Sequence, residues 1–374
     1  MRFTLSSSVL NSQLQTLSRV INSKNSLPIL DCILFEVADG KLTLTASDKE
    51  NVMTVVLALD EHDGTGAFAL PKNMVLNAVK ELPEQPLTFD VNEETLALSL
   101  YYQNGVYQFV AQSGTEFPKA KSPAHGATSL NIAASVLAEN LTRSLFATAQ
   151  DELRPVMNGV YFDLTADALA IVASDGHKLV RNRNFNIKSE APASFILPSK
   201  PAALLKLMLG KTDGDVVVTF DSNNACFEIA DATLTCRLIE GRYPNYNSVI
   251  PQDNPNKLVV DRKALVGALR RVQPFASEST LSVRLHIEGS KLVVSSEDVD
   301  FAKTAKESMT CDYTGKTMDI GFKCPSLIEI LSNIESDEVT IALADPSRAG
   351  VIVPTVQPEN EEVLMLIMPM LLND

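Results

Sequence analysis

A motif that returns at a fixed interval constrains this chain more than any other feature. Phe68-Ala-Leu-Pro71, Phe195-Ile-Leu-Pro198 and Phe322-Lys-Cys-Pro325 set their prolines 127 residues apart at both steps. Self-similarity at such a period means that one supersecondary unit is used three times. The openings agree, since FTLSSSVLNSQLQTLSRVIN from Phe3, LNIAASVLAENLTRSLFATA from Leu130 and LVVDRKALVGALRRVQPFAS from Leu258 bring Leu10, Leu137 and Leu265 into register. The stretches LTLTASD, LAIVASD and LVVSSED end at Asp48, Asp175 and Asp298, the third copy a few residues out of step. A chain of 374 residues exceeds one ordinary domain of about 150. Polar, Pro-containing boundaries near 121–126 and 252–256 divide it into domains 1–124, 125–253 and 254–374.

Within a repeat the pattern is mixed. Leu10, Leu14, Leu17 and Ile21 have the i, i+4, i+7, i+11 spacing of one buried helical stripe. ILFEVADGKLTLTAS alternates like a hairpin with its turn at Asp39-Gly40. After each Phe-x-x-Pro a second helix begins, where a proline's missing N–H costs nothing. Another hairpin, VVVTF and ACFEIA around Asp221-Ser-Asn-Asn224, closes the unit. The expectation is an α+β chain of three tandem repeats, each with two helices and antiparallel sheets.

The chemistry-bearing residues are sparse. Five cysteines, never spaced Cys-x-x-Cys, suit reduced thiols and a cytoplasmic location. Four scattered histidines propose no metal, and no nucleotide or nucleophile-elbow motif implies a cofactor. MRFTLSSSVLNSQ has no apolar core for a secretory signal, and Val363–Leu372 is broken by Pro369 at half a membrane span. Ser174-Asp175-Gly176-His177 has hydrolase residue types, but Ser47-Asp48 repeats its start on an equivalent strand end. A turn explains both, and no catalytic residue is expected.

Net charge is −14, which by itself argues against a nucleic-acid partner. Its distribution argues otherwise. The six helical windows 9–24, 71–82, 135–149, 198–211, 262–275 and 323–335 hold thirteen basic and four acidic side chains, leaving −23 for everything else. Arg19, Lys72, Lys80, Arg143, Lys200, Lys206, Arg262, Lys263, Arg270 and Arg271 therefore become candidates for a polyanion-facing surface, with Lys211 among the helix charges. Six helices packed about 10 Å apart enclose a hole of roughly 9 Å, too narrow for a duplex, whereas twelve leave about 28 Å. A threaded duplex then requires two chains.

MRFTL, Ser26-Leu-Pro-Ile-Leu30, Asn158-Gly159, Ser174-Asp-Gly-His-Lys-Leu179, Glu240-Gly-Arg-Tyr-Pro-Asn-Tyr246 and Ile367-Met-Pro-Met370 together resemble the β subunit of bacterial DNA polymerase III, the replicative sliding clamp. The resemblance spans the whole chain. It implies the DNA clamp fold, a head-to-tail homodimer forming a six-domain ring around double-stranded DNA, and no chemistry of its own. It also implies an ATP-driven clamp loader, the polymerase catalytic subunit, and other polymerases and repair proteins as partners. Carried over, the partner-peptide pocket comprises Met157, Ser174, Gly176, His177, Lys178, Leu179, Pro244, Val249, Thr280, Lys323, Ser326, Ala349, Leu366, Ile367, Met368, Pro369, Met370 and Leu371. The same carry-over places Lys24 and, more loosely, Gln150 near DNA, and Tyr107, Phe109 and Phe275 at the dimer seam. The rival expectation is a cytosolic peptide-binding scaffold that encircles nothing.

Overall fold

The computed structural model describes residues 1–210 and 212–372, so Lys211, Asn373 and Asp374 lie outside the described residues. Six α-helices occur among the described residues: α1 (Ser7–Leu17), α2 (Lys72–Val79), α3 (Ala134–Leu145), α4 (Ser199–Leu209), α5 (Arg262–Val272) and α6 (Cys324–Ser332). Each ends before its sequence window does. In α1 the stripe is buried as the periodicity requires, and Ile21 reaches the same core from the turn beyond the helix. Local chemistry sets the starts: the Ser6 hydroxyl accepts from the Val9 amide at 3.2 Å, and Asp261 accepts from Ala264 at 2.7 Å.

The chain divides into two compact units, residues 1–138 with 200–238, and residues 139–199 with 239–374. The middle repeat thus contributes strands to both. In the first unit, a five-stranded antiparallel sheet runs 61–63, 2–6, 86–91, 97–102, 105–110. A nine-stranded sheet joins strands of the first repeat to strands 215–237 through the pairing of Ala232 with Val55 and Thr235 with Val52. Phe3, Phe35, Phe68 and Phe89 fill the first repeat's core, Phe3 stacking on Phe89 at 4.8 Å and Phe35 on Phe68 at 5.1 Å. The Phe-x-x-Pro landmark therefore marks a strand whose aromatic residue points into the core just before a helix starts. The second unit has the same plan: a nine-stranded sheet in which 178–184 pairs with 361–367, and a five-stranded sheet running 303–310, 291–298, 282–288, 318–323, 369–370.

Turns follow the sequence. Asp39 and Gly40 both take positive φ, 52° and 73°, as a two-residue hairpin turn demands. Asp48 accepts the amides of Glu50 and Asn51, and Asp175 those of His177 and Lys178. Both carboxylates thus shape a turn, and the residue after each, Lys49 or Gly176, has φ of 83° or 91°. All five thiols are unpaired, and burial pushes Cys236 and Cys324 up to about 12. No described helix is long and apolar enough to cross a membrane.

Candidate functional site

The pocket residues gather in the second unit because two distant strands lie side by side there. Lys178 pairs with Ile367 and Leu179 with Leu366, while Gly350 and Val351 flank the other edge of the same tail strand. Alternation along a strand then sorts side chains onto opposite faces. Leu179, Ala349 and Leu366 pack with Tyr243, Tyr246 and Ile250 in one cluster. Ile367 falls on the other face with Ala173 and Val180, 1% exposed, in the main core under α5 and α6. Lys178 shares that second face: its ammonium meets Glu329 on α6 at 2.6 Å and lies over the Phe146 ring. Ile367 and Lys178 are thus corrected from pocket wall to inner support, because neighbours on one strand cannot both face one cleft.

Past Ile367 the chain changes sheets. The Met368 amide donates to the His177 carbonyl at 2.8 Å, and Pro369 and Met370 then pair with Phe322 and Gly321 at the edge of the five-stranded sheet. This crossing leaves apolar groups on the surface: Val249 is 56% exposed, Met368 43% and Leu371 90%. Pro244 and His177 are exposed beside them, while Met157, Ser174 and Ser326 are buried. Ser174 donates to the Lys178 carbonyl, which holds the turn at Gly176. Lys323 is exposed at the start of α6, and Thr280 lines a separate cleft of about 660 Å³ with Met370 and Leu371. The arrangement offers an apolar floor, adaptable Met at the rim and an exposed Leu371, which suits repacking around short hydrophobic peptides.

Six supporting residues were absent from the expected pocket. Tyr161 stacks on Tyr243 at 4.6 Å, and Tyr246 donates to Asp163 at 2.8 Å, so this aromatic group fixes the segment that carries Pro244 and Val249. Burial raises the Tyr243 phenol, and burial with the neighbouring Asp163 raises Tyr246, so both stay protonated. Arg154 pairs with Asp151 at 2.7 Å and reaches over Gly176, where a Cβ would meet its guanidinium at 3.0 Å. The spacing of Tyr243 and Tyr246 in the Arg-Tyr-Pro-Asn-Tyr run was visible, but the partners Tyr161 and Asp163 were not.

The basic candidates separate into two groups. Arg143 is 4% exposed, with its guanidinium on Glu139, Glu335 and Glu361, and cannot face a polyanion. Lys72 donates to the Ile21 carbonyl, and Lys200 donates to Val20 and Asn22 and pairs with Asp48. Arg262 donates to the Leu331 and Ser336 carbonyls just at and beyond the end of α6. These cations satisfy carbonyls that helix ends and turns leave open, which is where positive charge is favoured. The positive bias of the helical segments is thus partly a capping signal; buried Arg143 is corrected from a DNA-facing role, and Lys72, Lys200 and Arg262 are half-buried with their charge already engaged. Arg271 is exposed but paired with Glu307 at 2.9 Å, and Lys80 and Lys263 have acidic neighbours at 3.9 Å. Arg19, Lys24, Lys206 and Arg270 are exposed and make no ion pair among the described residues, and Gln150 is exposed. Lys24 lies on the loop that Lys72 and Lys200 pin at its start.

Three family models match in chain order: DNA polymerase III beta subunit, N-terminal domain, over residues 1–119; central domain over 131–245; and C-terminal domain over 247–371. The chain belongs to the DNA polymerase III beta subunit family. A beta sliding clamp of Synechococcus elongatus is 29% identical over 357 residues, covering 92% of this chain and 93% of its own. One from Pseudomonas aeruginosa is 26% identical over 371 residues, covering 99% of this chain and all of its own. A solved DnaN sliding clamp of Pseudomonas aeruginosa, bound to griselimycin, superimposes with a TM-score of 0.93 at 25% identity, each chain covered in full. As a member of this family the chain is an accessory subunit with no catalysis of its own. The Asp175 carboxylate fits that assignment, being committed to backbone amides.

Proposed function

We propose that this chain is a cytoplasmic DNA sliding clamp, organised as domains 1–124, 125–253 and 254–374. Two chains pair head to tail into a ring around duplex DNA, placed there by an ATP-driven loader. The ring tethers the replicative polymerase and other replication and repair proteins through the cleft around Leu179, Leu366 and Met368. The ordered match of all three family domains carries this reading. It needs no cofactor. Exposed Arg19, Lys24, Lys206 and Arg270, with Gln150, supply weak phosphate contacts that let the ring slide. An acidic remainder discourages contact with DNA outside the ring.

Two open sheet edges support the dimer. Strand 105–110 ends the five-stranded sheet of the first unit, and strand 303–310 ends that of the second, each paired on one side only among the described residues. Val110 on the first edge is 72% exposed, and Tyr107 and Phe109 line its other face in contact with each other. Phe275, 39% exposed, sits in the turn that packs against the second edge. Joining such edges across two chains satisfies their open backbone groups. Phe109→Lys is expected to weaken the dimer by about 100-fold, since a charge is then placed in an apolar seam. Analytical ultracentrifugation reads this, and an unchanged dimer counts against the edge.

The decisive test is topological. Loaded with a clamp loader and ATP onto a nicked circular plasmid, the protein is expected to stay bound through gel filtration and to run off once the plasmid is linearised. Retention that ignores linearisation refutes encirclement. Failure to be retained on either form, with peptide binding intact, leaves the scaffold reading.

A further inference from the structure

The repeat lets one place in the fold be compared with its counterpart 127 residues on. Ser12, Gln13, Thr16, Val55, Leu57 and Met208 of the first unit correspond in this way to Glu139, Asn140, Arg143, Asn182, Asn184 and Glu335 of the second. In the second unit this place is filled. Arg143 bonds Glu361 at 2.8 Å and Glu139 at 2.9 Å, Asn140 and Asn184 donate to the same Glu361, and Asn182 donates to Ser144. In the first unit Thr replaces the arginine, Ser and Met replace two carboxylates, and Val and Leu replace two amides. Thr16 turns its hydroxyl back onto the Ser12 carbonyl at 3.0 Å. What remains is a cleft of about 220 Å³.

We propose that this cleft is a binding site for a small planar aromatic molecule carrying one hydrogen-bond donor. Met53, Val55, Leu57 and Met208 line the cleft together with Ser12, Gln13, Thr16, Thr212 and Asp231, so a flat apolar ring and a polar edge on that ring would both find partners. An apolar cavity of roughly 150 Å³ already accommodates benzene, which leaves room here for a bicyclic ring. Two methionines make aromatic contact favourable, because thioether sulfur attracts ring edges and the side chain adapts to shape. At the lining, the Gln13 amide makes no hydrogen bond among the described residues, and Asp231 adds a carboxylate, so both can accept from an N–H or O–H. The ligand lies wholly within the first unit, and the proposal does not depend on the clamp reading.

The chain has no tryptophan, so indole fluorescence can be read without background. Indole titrated into the full-length protein and excited beyond the tyrosine band is expected to give a saturable blue shift, one site per chain. Thr16→Met fills the cleft from the helix side and Val55→Phe from the sheet side. Each is expected to weaken binding by more than about tenfold at unchanged circular dichroism, and either suffices should the other fail to fold. A linear, unsaturable response overturns the site. So does saturable binding that survives in a folded filled variant, or that is displaced by a polymerase-tail peptide, which locates indole in the partner pocket instead.

Discussion

Arg143→Met is expected to destabilise the protein by about 3–5 kcal/mol, the range for removing one partner of a buried ion pair. The guanidinium is the hub of its network. Without it the Glu361 carboxylate, whose side chain is 8% exposed, keeps the Asn140 and Asn184 amides but loses its countercharge and stays charged in a site closed to water. The double variant Arg143→Met with Glu361→Gln is expected to regain more than half of the loss, because a neutral amide still uses those two asparagine partners. Urea unfolding followed by circular dichroism measures both. At temperatures where Arg143→Met is folded, its loading onto DNA is expected to match the parent within about twofold, since charge that never reaches the surface steers nothing. A single variant as stable as the parent, or one that is folded and fails to load, returns Arg143 to the DNA-facing set.

Arg143 differs from the surface cations in a way that only long-range contacts decide. The repeat, the hairpin at Asp39-Gly40 and the Ser-Asp turns were legible because each is decided within a few residues by backbone conformation or a side chain bonding its own turn. Arg143 and Arg270 look alike on those terms. They part company because Glu361, 218 positions away, comes beside α3 only when the strand 361–367 joins the sheet. Lys72 and Lys200 likewise carry a signal with two readings, since a cation in a helical segment can face a polyanion or satisfy a nearby carbonyl such as those of Ile21 and Val20. The pocket was legible as a set of segments but not as a surface. Alternation assigns Leu366 and Ile367 to opposite faces in any strand, yet which face is open follows from the pairing of Leu179 with Leu366 and from the tyrosines behind them.

Removal of the chain from Met368 onward is expected to lower the affinity for a hydrophobic partner peptide by at least about 100-fold, or about 2.7 kcal/mol, while the dimer persists. The tail supplies the pocket with little that holds the fold. Its last structural strand, 361–367, is paired on both sides and remains after truncation. What is lost is the Met368 side chain, the bond from its amide to His177, the two-residue edge strand at Pro369 and Met370, and Leu372, which rests against Gly321. Exposed apolar anchors of this kind dominate binding when they close over a partner's side chain. Polarisation of a labelled peptide from a polymerase tail reads the affinity, and sedimentation reads the dimer. Met368→Ala isolates the rim side chain with the backbone path retained, and an intermediate loss of about tenfold is expected for it. Undiminished peptide binding by the truncated chain moves the pocket away from the tail. Dissociation of the truncated dimer instead means that the edge strand beside Phe322 supports the five-stranded sheet whose other edge, 303–310, forms the proposed seam.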